Sequence, residues 1–438
     1  MSGHEVASRV AVDRMIVTGH RIEVPLDWSQ PGGRETISVF AREVVAAEKA
    51  DDQSLPVICW YQGGPGMECA FPVSRLPWLE QLLTRYRVLL LDQRGTGMST
   101  PLEARALPRR DPGELAEYLR HFRADSIVRD ADRFRSLLLG EDADWHLFGQ
   151  SFGGFCSLAH LSFLPEHVTG VIITGGFAPV LHDADAVYTA LAERVAERNA
   201  DFLARFPEDA ERVRRIVDHL STAHDVDAYG QRLTARAFLT LGTCLGHLHG
   251  AAEVHGAVER AAHDLEALGM LGGAVHQRVA ELMSPATNPI YSLLQEACYA
   301  QGAPTRWAAA RVIGADPRYR LDALPAPCFT GEMMFPWMFE ERASLRPFRD
   351  AAEAIATQVS WTPLYDIDRL RANRVPVVGT VYWNDPYVER GLAMETAGLL
   401  GNCEVWISNE HEHQAYRATP GRVAERLFAM LDQRRAQS

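Results

Sequence analysis

Several kinds of sequence feature are missing, and each absence narrows the class of protein. No apolar run approaches the roughly 20 residues that a bilayer-spanning helix needs, so we expect no membrane-embedded segment. The N-terminus lacks both the apolar segment and the small-residue cleavage site of a secretory signal, which favours a cytoplasmic protein. Internal repeats and low-complexity tracts are absent as well.

Cysteine is sparse and has no pattern. The seven cysteines are odd in number and never form C-x-x-C, which argues against a disulfide framework and against a zinc site. Basic residues are also in deficit, because 44 Lys and Arg face 57 Asp and Glu, for a formal net charge of -13. Since phosphate affinity depends on clustered cations, we expect no nucleic-acid partner.

Strand-like and helical patterns divide the chain into three parts. In residues 1–177, short β-branched and apolar runs are separated by Gly, Pro and Asp, and similar runs return within 344–438. Two runs, VICWY and VLLLD, are apolar at successive positions, which favours strands buried on both faces of a parallel sheet. Residues 178–343 have helical spacing with almost no strand signal. The sequence therefore predicts an α/β core, mostly parallel, interrupted by a mainly helical cap.

The segment FGQSFGGF contains one serine flanked by glycines in the pattern G-x-S-x-G. It follows a strand-like run, WHLFG, and precedes a helical one, which is the context of a nucleophile elbow. In such an elbow, glycines allow a strained turn that lifts the serine hydroxyl clear of the sheet. A structural Gly-rich turn is the alternative, but the placement favours Ser151 as a nucleophile.

A serine nucleophile needs a base, and the base needs an acid that orients it. On this type of scaffold the acid and the histidine follow the serine in that order. Asp385 comes directly after the strand-like VPVVGTV, and His413 comes directly after CEVWIS. His411 offers the same chemistry two residues away, so the pattern alone leaves both histidines open.

Other acids and a metal site are weaker candidates. Asp366 and Asp368 precede the strand-like run instead of following it, which is typical of solvated turn residues. The His-Glu-His sequence at 411–413 has no third ligand at a suitable spacing, so we predict no metal site.

An oxyanion hole is predicted from two backbone segments. The sequence Gln-Gly-Gly-Pro-Gly at 62–66 follows VICWY directly, and consecutive glycines can turn an N–H toward a developing negative charge. Gly64 is our first candidate for this donor. The N–H of Phe152, which follows the nucleophile, is the expected second donor.

Three segments together resemble the proline iminopeptidases, in their larger form, of the α/β-hydrolase superfamily. They are the QGGPG loop, the DQRGTGMS run at 92–99 and the GQSFGG elbow, and further similar runs occur in the cap and C-terminal region. The resemblance covers most of the chain and favours His413 over His411. Gln62 stands where shorter relatives have histidine, and Pro386 where methionine is commoner in the larger form, which leaves substrate preference open.

The resemblance implies a serine hydrolase that releases N-terminal proline, or a similar residue, through an acyl-enzyme and without a cofactor. Its substrate would be a small peptide or amide with a free N-terminus, and nothing in the sequence excludes an oligomer. In this family, cap glutamates bind the terminal ammonium, and Glu296 and Glu332 are the matching candidates. Each carboxylate could instead be a solvated group on a helix or loop.

Two rival functions stay open at this level. An esterase, thioesterase or amidase acting on a small metabolite could use the same scaffold, because fold does not fix substrate. A catalytically dead protein that binds a small ligand is the second rival, and the complete set of Ser151, Asp385 and His413 argues against it.

Overall fold

The computed structural model describes residues 3–104, 111–283 and 288–437, and its strands form one sheet. The strands are β1 (His4–Val12), β2 (Met15–Pro25), β3 (Thr36–Ala46), β4 (Val57–Tyr61), β5 (Arg87–Asp92), β6 (Trp145–Gln150), β7 (Val168–Thr174), β8 (Val377–Tyr382) and β9 (Cys403–Ser408). In the described part of the chain, their spatial order is β1-β2-β3-β5-β4-β6-β7-β8-β9.

The sheet has a parallel part and an antiparallel edge. Strand β5 pairs in parallel with β4, and the series continues in parallel through β6, β7, β8 and β9. Strands β1, β2 and β3 are antiparallel, and β3 is antiparallel to β5. Parallel neighbours need long crossovers, and helices supply them here. The predicted α/β fold with a mostly parallel sheet is confirmed.

The helices fall into three groups along the chain. Before β7 they are α1 (Pro77–Leu83), α2 (Pro112–Leu119), α3 (Ala124–Leu139) and α4 (Phe152–Phe163). Between β7 and β8 they are α5 (Ala184–Arg205), α6 (Asp209–Thr222), α7 (Ala235–Leu239), α8 (Gly250–Leu268), α9 (Gly273–Met283), α10 (Pro289–Leu294), α11 (Ala308–Ala315), α12 (Met338–Glu341), α13 (Arg349–Thr357) and α14 (Ile367–Arg371). After β8 they are α15 (Arg390–Leu399), α16 (Ala415–Ala418) and α17 (Pro420–Gln437). None of these described helices is both long and apolar enough to cross a bilayer.

Both faces of the parallel strands are buried. Along β4, Ile58 and Trp60 belong to the core beneath α1 and α17, whereas Cys59 and Tyr61 belong to the core beneath α3 and α4. Side chains of a strand alternate between faces, so a strand covered on both sides must be apolar at every position. This is why VICWY has no polar alternation.

The strand β1 was not predicted from the sequence. Its residues are almost all exposed and it pairs only with β2, so its side chains carry no burial pattern that sequence analysis could detect. The helical character of the segment between β7 and β8 agrees with a cap. The limits of that cap, 178 and 343, stay a prediction.

Candidate active site

Ser151 lies in the tight turn that joins β6 to α4. Its φ of 56° is in the left-handed region, which is uncommon for a residue with a side chain and indicates backbone strain at this position. The neighbouring glycines are required by close backbone contacts. A Cβ on Gly149 would lie 2.3 Å from the carbonyl oxygen of Gly153, and one on Gly153 would lie 1.9 Å from that of Tyr61. The G-x-S-x-G spacing therefore permits the turn that presents Ser151.

Ser151, His413 and Asp385 form one continuous hydrogen-bonded chain. The Ser151 Oγ lies 2.9 Å from His413 Nε2, and His413 Nδ1 lies 2.7 Å from Asp385 Oδ2. Because a carboxylate can only accept, Nδ1 carries the imidazole proton and Nε2 is left to accept from the serine hydroxyl. The structure thus brings together three residues that are far apart in sequence.

The carboxylate of Asp385 is fixed by backbone donors. Asp385 is buried in the loop after β8, and its Oδ1 accepts the N–H of Tyr387 at 2.9 Å and that of Val388 at 3.2 Å. The second oxygen is left for His413. This division of hydrogen bonds sets the orientation of the imidazole ring, which Tyr387 also packs against at a centroid distance of 4.7 Å.

Opposing effects set the protonation of His413. Burial alone would lower the pKa of His413, but the charge of Asp385 and its hydrogen bond outweigh burial, and the pKa lies above its ordinary value. Glu332 and Glu412 act in the same direction. The protonated form that a general base reaches after taking a proton is therefore stabilised.

The competing sequence candidates lie elsewhere. His411 Nδ1 is 2.9 Å from Ser408 Oγ, and its ring packs against Trp406. Asp366 caps the first turn of α14, and Asp368 is exposed and pairs with an arginine on the same helix. None of these three candidates makes a hydrogen bond with Ser151 or His413.

The two predicted oxyanion donors flank the serine. Phe152 is the first residue of α4, where a backbone N–H has no acceptor inside the helix. The other donor segment is the loop after β4. A Cβ on Gly63 would lie 3.2 Å from the Ser151 Cβ, so this loop packs directly against Ser151. The next residue, Gly64, has a φ of 127° and lines the same cavity as Ser151.

A cavity of about 420 Å³ opens over the serine. Ser151 and His413 line its base, and the cap contributes Tyr291 and Glu332. A smaller cavity of about 150 Å³, which Tyr291 and Glu332 also line, adjoins it. The total volume is in the range of sites for small molecules.

Glu332 is a half-buried carboxylate in the wall of this cavity. Loss of solvation raises the pKa of Glu332, while a hydrogen bond from Tyr291 and the proximity of His413 oppose that rise. A carboxylate in such a place gains most from a cationic ligand, because the ligand replaces the lost hydration of its charge.

Glu296, the other predicted ammonium ligand, does not line this cavity. It is buried, and its two oxygens accept the backbone N–H groups of Ala308 at 3.1 Å and Ala309 at 3.0 Å. These are the first two residues of α11, so the carboxylate caps that helix. Burial raises the pKa of Glu296, and the two backbone hydrogen bonds oppose the rise.

Comparison with known proteins agrees with this geometry. The model of the alpha/beta hydrolase fold matches residues 56–236. A proline iminopeptidase of Aeromonas sobria is 42% identical over 94% of this chain and 95% of its own length. The chain belongs to the proline iminopeptidase family.

Two further matches are another relative in sequence and a solved structure. Proline iminopeptidase aneH of Aspergillus aculeatus is 36% identical over 94% of this chain and 93% of its own. The crystal structure of a proline iminopeptidase from Mycobacterium smegmatis covers 95% of this chain and 99% of its own, with 12% identity and a TM-score of 0.44. The predicted α/β-hydrolase superfamily and larger proline iminopeptidase form are confirmed by the family model and the two long matches.

The DQRGTGMS run, which contributed most to the resemblance, is structural in this family member. Asp92 is buried and accepts the N–H groups of Cys69 and Met98, each at 2.9 Å. Arg94 is buried and makes two hydrogen bonds of 2.7 and 2.6 Å to Asp130 of α3. The run therefore fixes the loop after β5 against both the segment after β4 and α3.

Sequence reasoning missed several residues of the cavity, three of which carry polar groups that matter below. Tyr291, Tyr387 and Arg417 all line it. Tyr387 and Arg417 were detectable in principle, because they follow Asp385 by two positions and His413 by four. Tyr291 lies in the cap, where no neighbouring motif marks it.

Gln62, the departure from the histidine of shorter relatives, has a clear structural role. Its Oε1 accepts hydrogen bonds from Trp60 Nε1 at 3.2 Å and Arg417 Nη2 at 2.6 Å, and its Nε2 donates to the Glu68 carbonyl at 3.1 Å. These hydrogen bonds link the loop after β4 to the segment that follows His413.

Proposed function

We propose that the chain is a serine aminopeptidase that releases N-terminal proline, or a similar residue, from small peptides or amides. One observation carries the proposal: Ser151 and the His413 that is hydrogen-bonded to both Ser151 and Asp385 line the same cavity as the half-buried carboxylate of Glu332. The names of the two long matches, both proline iminopeptidases, support the same activity.

In the first half of the reaction, the Ser151 Oγ attacks the carbonyl carbon of the N-terminal residue while its proton moves to His413 Nε2. Asp385 holds the Nδ1–H and stabilises the imidazolium that forms. The N–H groups of Gly64 and Phe152 donate to the oxyanion of the tetrahedral intermediate. Each donor is a backbone group at a fixed place, so no reorganisation is needed when the charge develops.

In the second half, the imidazolium of His413 gives its proton to the departing amine, and the C–N bond breaks. This leaves the N-terminal residue as an ester on Ser151. Water then attacks the ester, His413 takes a proton from it, and the free amino acid leaves as Ser151 recovers its own proton. The cycle uses no group beyond the chain, its substrate and water.

We assign the substrate's ammonium to Glu332. Its carboxylate faces the cavity, and a charge-assisted hydrogen bond to an ammonium would compensate its partial loss of hydration. The carboxylate of Glu296 has both oxygens bonded to the start of α11, so we propose that Glu296 acts by holding the cap in shape. Of the two glutamates that the sequence predicted as ammonium ligands, we therefore keep Glu332 alone in that role.

The proposal is tested with a panel of substrates. We expect the highest kcat/KM for prolyl anilide, lower values for other aminoacyl anilides, and a strong loss for N-acetylprolyl anilide, because acetylation removes the ammonium. The variant Ser151→Ala is the control for contaminating hydrolases. Turnover of acyl esters without turnover of aminoacyl anilides would contradict an aminopeptidase and favour the esterase alternative.

A further inference from the structure

Arg417 is an exposed arginine at the edge of the cavity over Ser151. It lies on α16, and its Nη2 donates to Gln62 Oε1 at 2.6 Å. Its guanidinium also lies over the rings of Trp60 and Trp78, at 5.8 and 5.6 Å from their centroids. The side chain is therefore held in one place although it is open to solvent.

Arg417 has no carboxylate partner among the residues that the structure describes. Other arginines close to this region are paired, since Arg198 contacts Glu412 at 3.0 Å and Arg278 contacts Glu253 at 2.8 Å. Glu68 lines the same cavity but makes no ion pair with Arg417. An arginine that is held in place without a carboxylate partner keeps its remaining N–H donors for a ligand anion.

The position of Arg417 relative to the nucleophile limits the ligand's size. Arg417 bonds to Gln62, and the next residue, Gly63, packs against Ser151. Glu332 lies on the cap side, where it also lines the inner cavity of about 150 Å³. The lining of the cavity thus contains the guanidinium of Arg417 and the carboxylates of Glu332 and Glu68, so it offers a partner for each charge of a zwitterion.

We infer that Arg417 binds the carboxylate of the leaving group, so that the preferred substrates are dipeptides or tripeptides with a free C-terminus. A residue of extended peptide spans at most about 3.3–3.6 Å, and the short path from Ser151 through Gly63 and Gln62 suits one or two residues. The inference rests on the proposed function. It adds recognition of the leaving side to recognition of the ammonium by Glu332.

The first test compares prolyl-alanine with prolyl-alaninamide, which differ only in the C-terminal charge. For the unmodified protein, we expect kcat/KM to be roughly tenfold or more higher for the free acid. Arg417→Gln should abolish that preference by raising KM for the acid much more than for the amide, and Arg417→Lys should keep part of it. Arg426→Gln is the matched control, because Arg426 is an exposed arginine stacked on Trp406, outside the cavity.

A third peptide, prolyl-glutamamide, is the α-amide of prolyl-glutamate and carries its one carboxylate on the side chain. It tests whether Arg417 binds the C-terminal carboxylate or any carboxylate of the leaving group. A preference for prolyl-alanine over prolyl-glutamamide supports recognition of the C-terminus. Equal use of both, with the alaninamide poor, would overturn the C-terminal assignment. Equal loss for acid and amide in Arg417→Gln would overturn it too, since that pattern indicates damage to the site.

Binding of peptides to the inactive variant Ser151→Ala tests this inference independently of the proposed function. Calorimetry should give tighter binding of prolyl-alanine than of prolyl-alaninamide, and the added substitution Arg417→Gln should remove the difference. If the unmodified protein hydrolyses no peptide but this difference persists, the proposed function fails, and Arg417 then binds the C-terminal carboxylate of a bound peptide that has no leaving group. If peptides are hydrolysed but the two affinities are equal, the inference fails and the proposed function stands.

Discussion

Tyr291 Oη donates a 2.5 Å hydrogen bond to Glu332 Oε1, and both side chains line the cavity over Ser151. The bond favours the charged form of the carboxylate, against the effect of its partial burial. A neutral amide at position 332 would still accept from the tyrosine hydroxyl. A substitution of Glu332 by glutamine can therefore remove the charge of the cavity wall and leave its shape unchanged.

The variant Glu332→Gln should lose recognition of the free N-terminus with little change in structure. We expect kcat/KM for prolyl anilide to fall roughly 30- to 150-fold, or about 2–3 kcal/mol, since one partner of a partly buried charge pair is removed. N-acetylprolyl anilide should be unaffected. Steady-state kinetics on both substrates is the measurement, and Glu340→Gln, an exposed glutamate on α12, is the control. An equal loss on the two substrates would argue against the assignment.

The variant Asp385→Asn should lower activity and move its pH dependence. The kcat is expected to fall by about 10⁴-fold because the imidazole loses its correct tautomer. In the unmodified protein, kcat/KM falls as pH drops through the raised pKa of His413. Removing the Asp385 charge lowers that pKa, so the acid limb of the profile should move to lower pH.

Glu412→Gln is the matched comparison for that profile. Glu412 also raises the pKa of His413 through its charge, but the residue contacts Arg198 and makes no hydrogen bond to the imidazole. We expect a smaller shift of the acid limb in the same direction, with kcat almost unchanged. A shift to higher pH in either variant would contradict the electrostatic account.

Ser151→Ala should abolish covalent labelling by a fluorophosphonate and lower kcat by about 10⁶-fold. The fold should be retained, because among the described residues the hydroxyl is hydrogen-bonded to His413 alone. Intact mass spectrometry after labelling checks the result. Ser29→Ala, a change at an exposed turn serine, should label like the unmodified protein. Persistent labelling of the Ser151 variant would identify another nucleophile.

Gly153→Ala should destabilise the whole protein. The new methyl group would meet the Tyr61 carbonyl oxygen at 1.9 Å, and backbone cannot move aside as a side chain can. We expect a loss of at least the ~1–3 kcal/mol typical of overpacking. Gly256→Ala lies in the exposed interior of α8 with open space around it and should stabilise by about 0.5–1 kcal/mol. Urea unfolding compares the two, and similar midpoints would refute the steric argument.

The sequence was most informative where local pattern and three-dimensional environment coincide. VICWY and VLLLD are uniformly apolar because both of their faces are covered, so β4 and β5 were predictable. The glycines around Ser151 mark the turn because any Cβ there would meet backbone. The strand β1 is almost wholly exposed, so its residues lack the alternation of apolar and polar side chains that a half-buried strand shows.

The cap was harder to interpret because its carboxylates have similar sequence surroundings but different partners. Glu296 caps α11 and Glu332 faces the cavity, a distinction that depends on how distant helices pack. Arg417 was missed for the same reason. Its place four residues after His413 can be read from the sequence, but its lack of a carboxylate partner among the described residues depends on how distant segments pack.

The segment from 175 to 376 leaves the sheet at the end of β7 and returns at β8, and these two strands are hydrogen-bonded neighbours with Val171 opposite Val377. The two strands therefore pair directly, although some two hundred residues separate them in the sequence. Ser151 lies before that excursion, and Asp385 and His413 lie after it. The length of this segment can therefore change without disturbing the pairing of β7 with β8, and so without moving Ser151 in space relative to Asp385 and His413.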